Sequence, residues 1–165
     1  MPENKVKILD CTLRDGGYYN NWNFKNDLIE EYLLTMNALD IDYVEIGFRS
    51  LKIEGSKGPT AFSTDKFINS LKNKKNLKIG IMINASEIIN DTENILQKLF
   101  PRNVKSQISF VRIAAHEHEV EKLKKTINYL KNKKLKVFIN LMQISEYKNA
   151  KLLKKIKFLN KTKIN

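Results

Sequence analysis

Leu9-Asp10-Cys11-Thr12-Leu13-Arg14-Asp15-Gly16-Gly17-Tyr18-Tyr19 decides how this chain is read. Its first residues belong to an apolar stretch, 6–12, with the composition of a β-strand. Asp10, Arg14 and Asp15 then fall near one strand end. Gly16 and Gly17 follow, and paired glycines let a backbone turn sharply. A carboxylate beside a guanidinium at a strand C-terminus can hold a divalent cation and an anionic oxygen together. An Arg–Asp pair also occurs as a buried ion pair that shapes a turn. Spacing alone leaves both readings open.

Outward from this stretch, short β-branched runs alternate with amphipathic helical patterns. Strands are expected at 6–12, 43–48, 77–83, 110–115 and 135–141. Between them, Leu28, Ile29, Tyr32, Leu33 and Met36 mark one helix. Phe67, Ile68 and Leu71 mark a second, and Ile95, Leu96 and Leu99 a third. Val120, Leu123, Ile127 and Leu130 give the cleanest three-and-four spacing, and a last helix is expected at 146–159. The strands recur roughly every 30 residues, the length of one βα unit. Ile68-Asn-Ser-Leu-Lys-Asn-Lys-Lys75 is echoed by Ile127-Asn-Tyr-Leu-Lys-Asn-Lys-Lys134, each ahead of a strand. Repeated βαβ order implies α/β class, parallel strands and right-handed crossovers.

The strands carry different chemistry on their two parities. Val44 and Ile46, Ile79 and Ile81, Val111 and Ile113, and Val137 and Ile139 make one face aliphatic, suited to a coat of helices. The other carries Asp10 and Thr12, Glu45 and Gly47, Gly80 and Asn84, Arg112 and His116, and Asn140. A sheet buried on both faces tends to read as apolar throughout. A face that is polar toward the strand C-termini instead suits a barrel with its site at that mouth. A closed barrel needs eight βα units and about 250 residues. Five units in 165 residues make either part of a (β/α)8 TIM barrel or a smaller five-stranded α/β domain. No linker divides the chain, so residues 1–165 are expected to form a single incomplete domain.

Composition sets the class. Apolar residues make up 42% and charged residues 29%, as in globular proteins. No apolar run approaches the ~20 residues that span a bilayer, and the first residues do not have a signal-peptide pattern. Cys11 is the one cysteine, so no internal disulfide is available. A cytoplasmic location is expected from these points. The net charge of +12 raises the question of nucleic acid. Only Arg14, Arg49, Arg102 and Arg112 supply the side chain best suited to bidentate phosphate contacts. The lysine runs 72–78 and 131–136 sit where helices end and strands begin, where cations complement the helix dipole. Nucleic-acid binding is therefore disfavoured.

Leu9-Asp-Cys-Thr-Leu-Arg-Asp-Gly-Gly-Tyr-Tyr19 resembles the signature of the metal-dependent TIM-barrel lyases and Claisen synthases. This pyruvate carboxyltransferase-domain family includes HMG-CoA lyase, 4-hydroxy-2-oxovalerate aldolase and isopropylmalate synthase. Tyr43-Val-Glu-Ile-Gly-Phe48 is similar to its second strand, Phe110-Val-Arg-Ile-Ala-Ala-His116 to its fourth, and Asn140-Leu-Met-Gln143 to the fifth of aldolase-like members. The resemblance implies carbon–carbon cleavage or condensation of a 2-oxo acid or similar carbonyl through an enolate, with a divalent metal (Mn2+, Mg2+ or Zn2+) as Lewis acid. It implies Asp15 as a metal ligand and Arg14 as the cation that stabilises the enolate oxygen. Glu45 is implied near the site, with a buried hydrogen-bond anchor as the alternative. Arg49 and Arg112 are candidates for a substrate carboxylate, with salt bridges as their alternative. His116 and Asn140 complete the substrate-facing candidates.

Two departures qualify the resemblance. Aldolase members carry an acid/base histidine after the motif, whereas Gly17-Tyr-Tyr-Asn-Asn-Trp22 has none. Tyr18 or Tyr19 is the local substitute, a poorer base at neutral pH. The family's His-x-His metal pair lies on a later strand, and His116-Glu-His118 follows the fourth strand instead. The metal is therefore expected to be incompletely liganded and this chain inactive by itself. Alternatives are a non-catalytic product, a half-barrel completed by another chain or a homo-oligomer, and a cationic binding module.

Overall fold

The computed structural model describes residues 6–51, 55–74, 76–101 and 104–162. Its strands are β1 (Leu9–Asp10), β2 (Tyr43–Phe48), β3 (Lys78–Asn84), β4 (Phe110–Ala115) and β5 (Lys136–Leu141). They follow the sheet order β1-β2-β3-β4-β5, the order in which successive βα units add strands to a barrel. The helices are α1 (Thr12–Asn20), α2 (Asn26–Ala38), α3 (Asp65–Ser70), α4 (Ala85–Ile88), α5 (Thr92–Leu99), α6 (Lys124–Asn132) and α7 (Asn149–Lys161). The chain packs as two compact units. One gathers the described residues within 1–49, 53–81 and 105–108, and the other those within 50–52, 82–104 and 109–165.

In the first unit, β1 pairs parallel to β2, with Leu9 beside Tyr43 and Asp10 beside Val44. The Asp42 carboxylate accepts from Ile8 N at 3.0 Å and Lys7 Nζ at 2.9 Å, fixing the entry to both strands. The strand expected over 6–12 is shorter than that. Asp10 Oδ1 accepts the Thr12 N–H at 2.9 Å, and Asp10 Oδ2 accepts its hydroxyl at 3.2 Å. A carboxylate just ahead of a helix satisfies an otherwise unpaired N–H, and the chain turns into α1 instead of extending.

The sharp turn expected at Gly16-Gly17 is likewise replaced by helix, because both glycines lie inside α1. Each costs about 1 kcal/mol relative to alanine in a helix. Gly17 has a packing reason to be there: a Cβ on it would sit 2.0 Å from Trp22 Cδ1. α1 ends with Asn21 and Trp22 both left-handed, at φ 56° and 55°, which folds the indole back onto the helix. Trp22 N donates to Gly17 O at 2.9 Å, and Trp22 Nε1 donates to Arg14 O at 3.0 Å. Thr60 Oγ1 donates to Trp22 O at 2.9 Å from the turn over Pro59–Ala61. That turn approaches β2 so closely that a Cβ on Gly47 would meet Thr60 O at 1.9 Å.

α2 buries Ile29 and Leu33. Glu30 ties this helix to the loop ahead of β3 by accepting the N–H groups of Lys72 and Asn73 at 2.8 and 3.0 Å. β2 is buried at all six residues. The polar parity read from the sequence is therefore enclosed at Glu45, not open.

In the second unit, β4 and β5 pair in parallel over six residues, from Phe110 beside Lys136 to Ala115 beside Leu141. Val120, Leu123, Ile127 and Leu130 are all fully buried. Their helix begins as a 3-10 turn over Glu117–Leu123 and becomes α-helical only in α6. The last helix starts at Asn149, after a 3-10 turn over Ile144–Glu146. It is held by Lys155, whose Nζ reaches Glu117 Oε1 at 3.0 Å and Glu121 Oε1 at 3.1 Å.

Candidate functional site

Arg14 is the centre of the first unit's polar cluster. One turn into α1, its Nε donates to Glu45 Oε1 at 2.8 Å, and its Nη1 pairs with Asp15 Oδ1. The Glu45 side chain is fully buried and that of Arg14 is 13% exposed, whereas Asp15 is 56% exposed. Burial works against the guanidinium's charge. The hydrogen bond and charge of Glu45, with smaller help from Asp15 and Cys11, outweigh it and hold Arg14 above its ordinary range. The guanidinium carbon lies 6.0 Å from the Phe48 ring centre. The anchor reading of Glu45 is thus what its geometry displays.

Asp15 is held on both carboxylate oxygens, by Arg14 and by the Cys11 thiol, which donates to Oδ2 at 3.3 Å. Asp10, at the tip of β1, accepts a short hydrogen bond from the Tyr32 hydroxyl of α2. Burial first, and then the bond to Asp10, push the Tyr32 phenol far above its usual value. Tyr32 is therefore a fixed donor. Two groups thus stand at the end of β1 and the start of α1: Arg14 with Glu45 and Asp15, and Asp10 with Tyr32. Periodicity alone placed Tyr32 on the apolar stripe of α2. Its hydroxyl, four residues into that stripe from Leu28, was the available signal that the stripe had a polar end.

Tyr18 is 63% exposed, one helical turn beyond Arg14. Its ring meets Trp22 edge-on at 4.7 Å and Phe48 at 6.2 Å between centres. Arg49, at the end of β2, is buried, and its guanidinium is already engaged. Nε and Nη2 donate to Ser63 O at 3.0 and 2.8 Å, and Nη2 pairs with Asp65 Oδ1 at 2.8 Å. Burial draws it below its ordinary value, with Asp65 opposing. The salt bridge weighed for Arg49 is present.

The remaining candidates belong to the second unit. Arg112 is half-buried on β4 beside Phe138, and Asn140 is half-buried on β5 beside Ala114. By strand alternation Arg112, Phe138 and Asn140 share one face of this pair. His116 is half-buried and caps the turn that follows β4. Its N–H donates to Glu119 Oε2 at 2.8 Å, and its side chain accepts in return from the Glu119 N–H. His118 is exposed in that turn, with its ring stacked on His116 at 5.8 Å between centres.

The donor set does not fit a complete metal shell. Among the described residues no three His, Cys, Asp or Glu side chains converge as ligands, and three protein ligands are the usual minimum for a catalytic site. Asp15 offers one carboxylate, already shared with Arg14. His116 is committed to its cap. Among the described residues, no helix is long and apolar enough to cross a membrane.

No family model matches the chain. Over 138 residues it is 23% identical to an oxaloacetate decarboxylase of Mycobacterium tuberculosis, an overlap of 82% of this chain and 39% of that protein. The N-terminal domain of a proposed aldolase from Bacteroides vulgatus superposes with a TM-score of 0.76 and 32% identity, over 92% of this chain and 50% of that one. The chain is similar in sequence and fold to about half of that aldolase domain. An HMG-CoA lyase of Bacillus subtilis shares the barrel's fold at a TM-score of 0.66 and 13% identity, covering 99% of this chain and 57% of that one. The chain therefore spans about half the length of the solved relatives, and less of the curated one.

Proposed function

We infer that this chain contributes the enolate-stabilising half of a carbon–carbon lyase or aldolase acting on a 2-oxo acid, within a barrel domain of which residues 1–165 are part. The observation that carries this reading is the Arg14–Glu45 pair, 2.8 Å apart with Glu45 fully buried. It holds a permanent cation at the start of α1, where the resemblance puts the developing enolate oxygen. Arg14 presents a rigid fork of five donors. Glu45 and Asp15 each take one, which orients the fork, and the other N–H groups meet the oxyanion. Preorganised donors of this kind stabilise charge as it forms and need no rearrangement during the reaction. Tyr18, exposed one turn away, is the proton carrier. Arg49 braces the end of β2. Among the described residues Asp15 would hold a divalent metal, which would act as a Lewis acid on the carbonyl.

The chain by itself is inactive on this reading, because the described residues around Arg14 do not bring together the metal ligands such a lyase needs. The test is a fusion of this chain to the part of the Bacteroides vulgatus domain that lies outside the overlap. The fusion and the chain alone are assayed with Mn2+ for oxaloacetate decarboxylation and for cleavage of a 4-hydroxy-2-oxo acid. Turnover is expected from the fusion, none from the chain, and a loss of at least about a hundredfold in the fusion on Arg14→Ala. A fusion that folds yet turns over neither substrate, or an Arg14→Ala fusion with unchanged rate, overturns the lyase reading. Turnover by the chain alone overturns its inactivity.

A further inference from the structure

A groove of about 720 Å3 lies on the helical side of the second unit, within the size range of small-ligand pockets. It runs between the start of α5 and the start of α6, two helices that pack on each other. Both of its walls are neighbouring segments of this chain.

The two walls differ in charge. Asp91 and Glu93 stand on the α5 side, and Lys122, Lys124 and Lys125 on the α6 side. All five are exposed. Glu121, also on the lining, is held by Lys155 at 3.1 Å. Among the described residues no ion pair joins Lys122, Lys124 or Lys125 to a carboxylate. Opposite charges therefore line one groove without meeting. Between them the lining is apolar. Leu96 is fully buried and Tyr129 half-buried. The Tyr129 hydroxyl donates to Phe100 O at 3.2 Å, so its polar end is engaged and its ring supplies apolar surface.

This pattern selects a kind of ligand. An anion gains from the lysines and loses to the carboxylates, and a cation does the reverse. A molecule with one charge at each end gains from both walls. The volume suits a drug-sized molecule, larger than a single amino acid. We propose that this groove binds a short zwitterionic peptide with apolar side chains, roughly two or three residues long. Its C-terminal carboxylate sits among Lys122, Lys124 and Lys125. Its N-terminal ammonium lies at Asp91 and Glu93, and its side chains rest on Leu96 and Tyr129. The inference is independent of the lyase reading, since it rests on no residue of the first unit.

The test titrates the full, isotope-labelled chain with leucyl-leucine, with its N-acetyl form and with its C-terminal amide. Amide shifts over residues 91–96 and 122–129 are followed by nuclear magnetic resonance. Leucyl-leucine is expected to bind at least about threefold more tightly than either blocked form, the scale of an exposed ion pair, and to weaken as salt rises. In the triple variant Lys122→Ala, Lys124→Ala, Lys125→Ala, its advantage over the amide is expected to vanish while its advantage over the N-acetyl form stays. The double variant Asp91→Asn, Glu93→Gln is expected to do the converse. A merely structural change would weaken all three peptides alike. No binding of leucyl-leucine, equal binding of the three peptides, or an equal loss for all three in either variant overturns the proposal. So does tighter binding of inorganic phosphate, which would mark the lysines as a plain anion site.

Discussion

β1 and β4 end alike and are used differently. Each runs straight into a helical segment and carries ionisable residues at the junction. At the end of β4 the partners are local: His116 and Glu119 cap each other within one turn. At the end of β1, Asp10 caps α1 locally, but Arg14 reaches across 31 residues to Glu45 and Asp10 itself takes Tyr32 from 22 residues away. A junction whose charges satisfy each other locally is finished as structure. One whose charges are held from other elements has side chains fixed in place yet still able to meet a ligand.

The comparison breaks most directly at Glu45. Glu45→Ala strips the largely buried Arg14 of its buried partner and leaves it the exposed Asp15, and a loss of about 3 kcal/mol in urea unfolding is expected. A loss under about 1 kcal/mol would show that the long-range pair holds little. Tyr32→Phe removes a hydrogen bond to a carboxylate and should cost about 1.5–3 kcal/mol. Its pH dependence sharpens the point. The folded phenol binds its proton more tightly than the unfolded one, so its stabilisation is complete below the unfolded pKa of about 10 and drains away as pH rises toward the folded value. The wild-type chain should lose stability above that pH more steeply than Tyr32→Phe, as read from paired melts.

Gly17→Ala forces the Trp22 indole off α1, an overpacking cost of about 1–3 kcal/mol, visible as a lowered thermal midpoint. His116→Ala is the smallest, about 1 kcal/mol for a lost cap, and it should leave the Arg14 cluster undisturbed. If it matched Glu45→Ala, the distinction between the two junctions would fail.

How much of this was legible in the sequence follows the same division. β2 and β4 were read with their observed bounds, because Tyr43-Val-Glu-Ile-Gly-Phe48 and Phe110-Val-Arg-Ile-Ala-Ala115 are β-branched runs whose pairing agrees with their propensity. The start of α1 was misread because Gly16-Gly17 opposes helix locally. What stabilises the helix there is the Asp10 cap and the seat of Trp22 on Gly17, and the second is tertiary. Arg14 and Asp15 were singled out by their motif. Tyr32 was not, since a tyrosine on a helical stripe reads as core until a carboxylate is found at its hydroxyl. Arg49 looked like a substrate group for the complementary reason: Ser63 and Asp65, which engage it, lie just ahead of α3 and at its first position, before the apolar spacing that marks that helix begins.

Trp22 is the single tryptophan of the chain. Its indole lies against Gly17, donates to the Arg14 carbonyl and touches Tyr18 and Phe48 edge-on. Ultraviolet emission excited at the indole band therefore comes from one place, the helix that carries Arg14 and Asp15. Titrating a small dicarboxylate or a divalent ion into the protein and following wavelength and quenching reads that helix directly, with no label to attach.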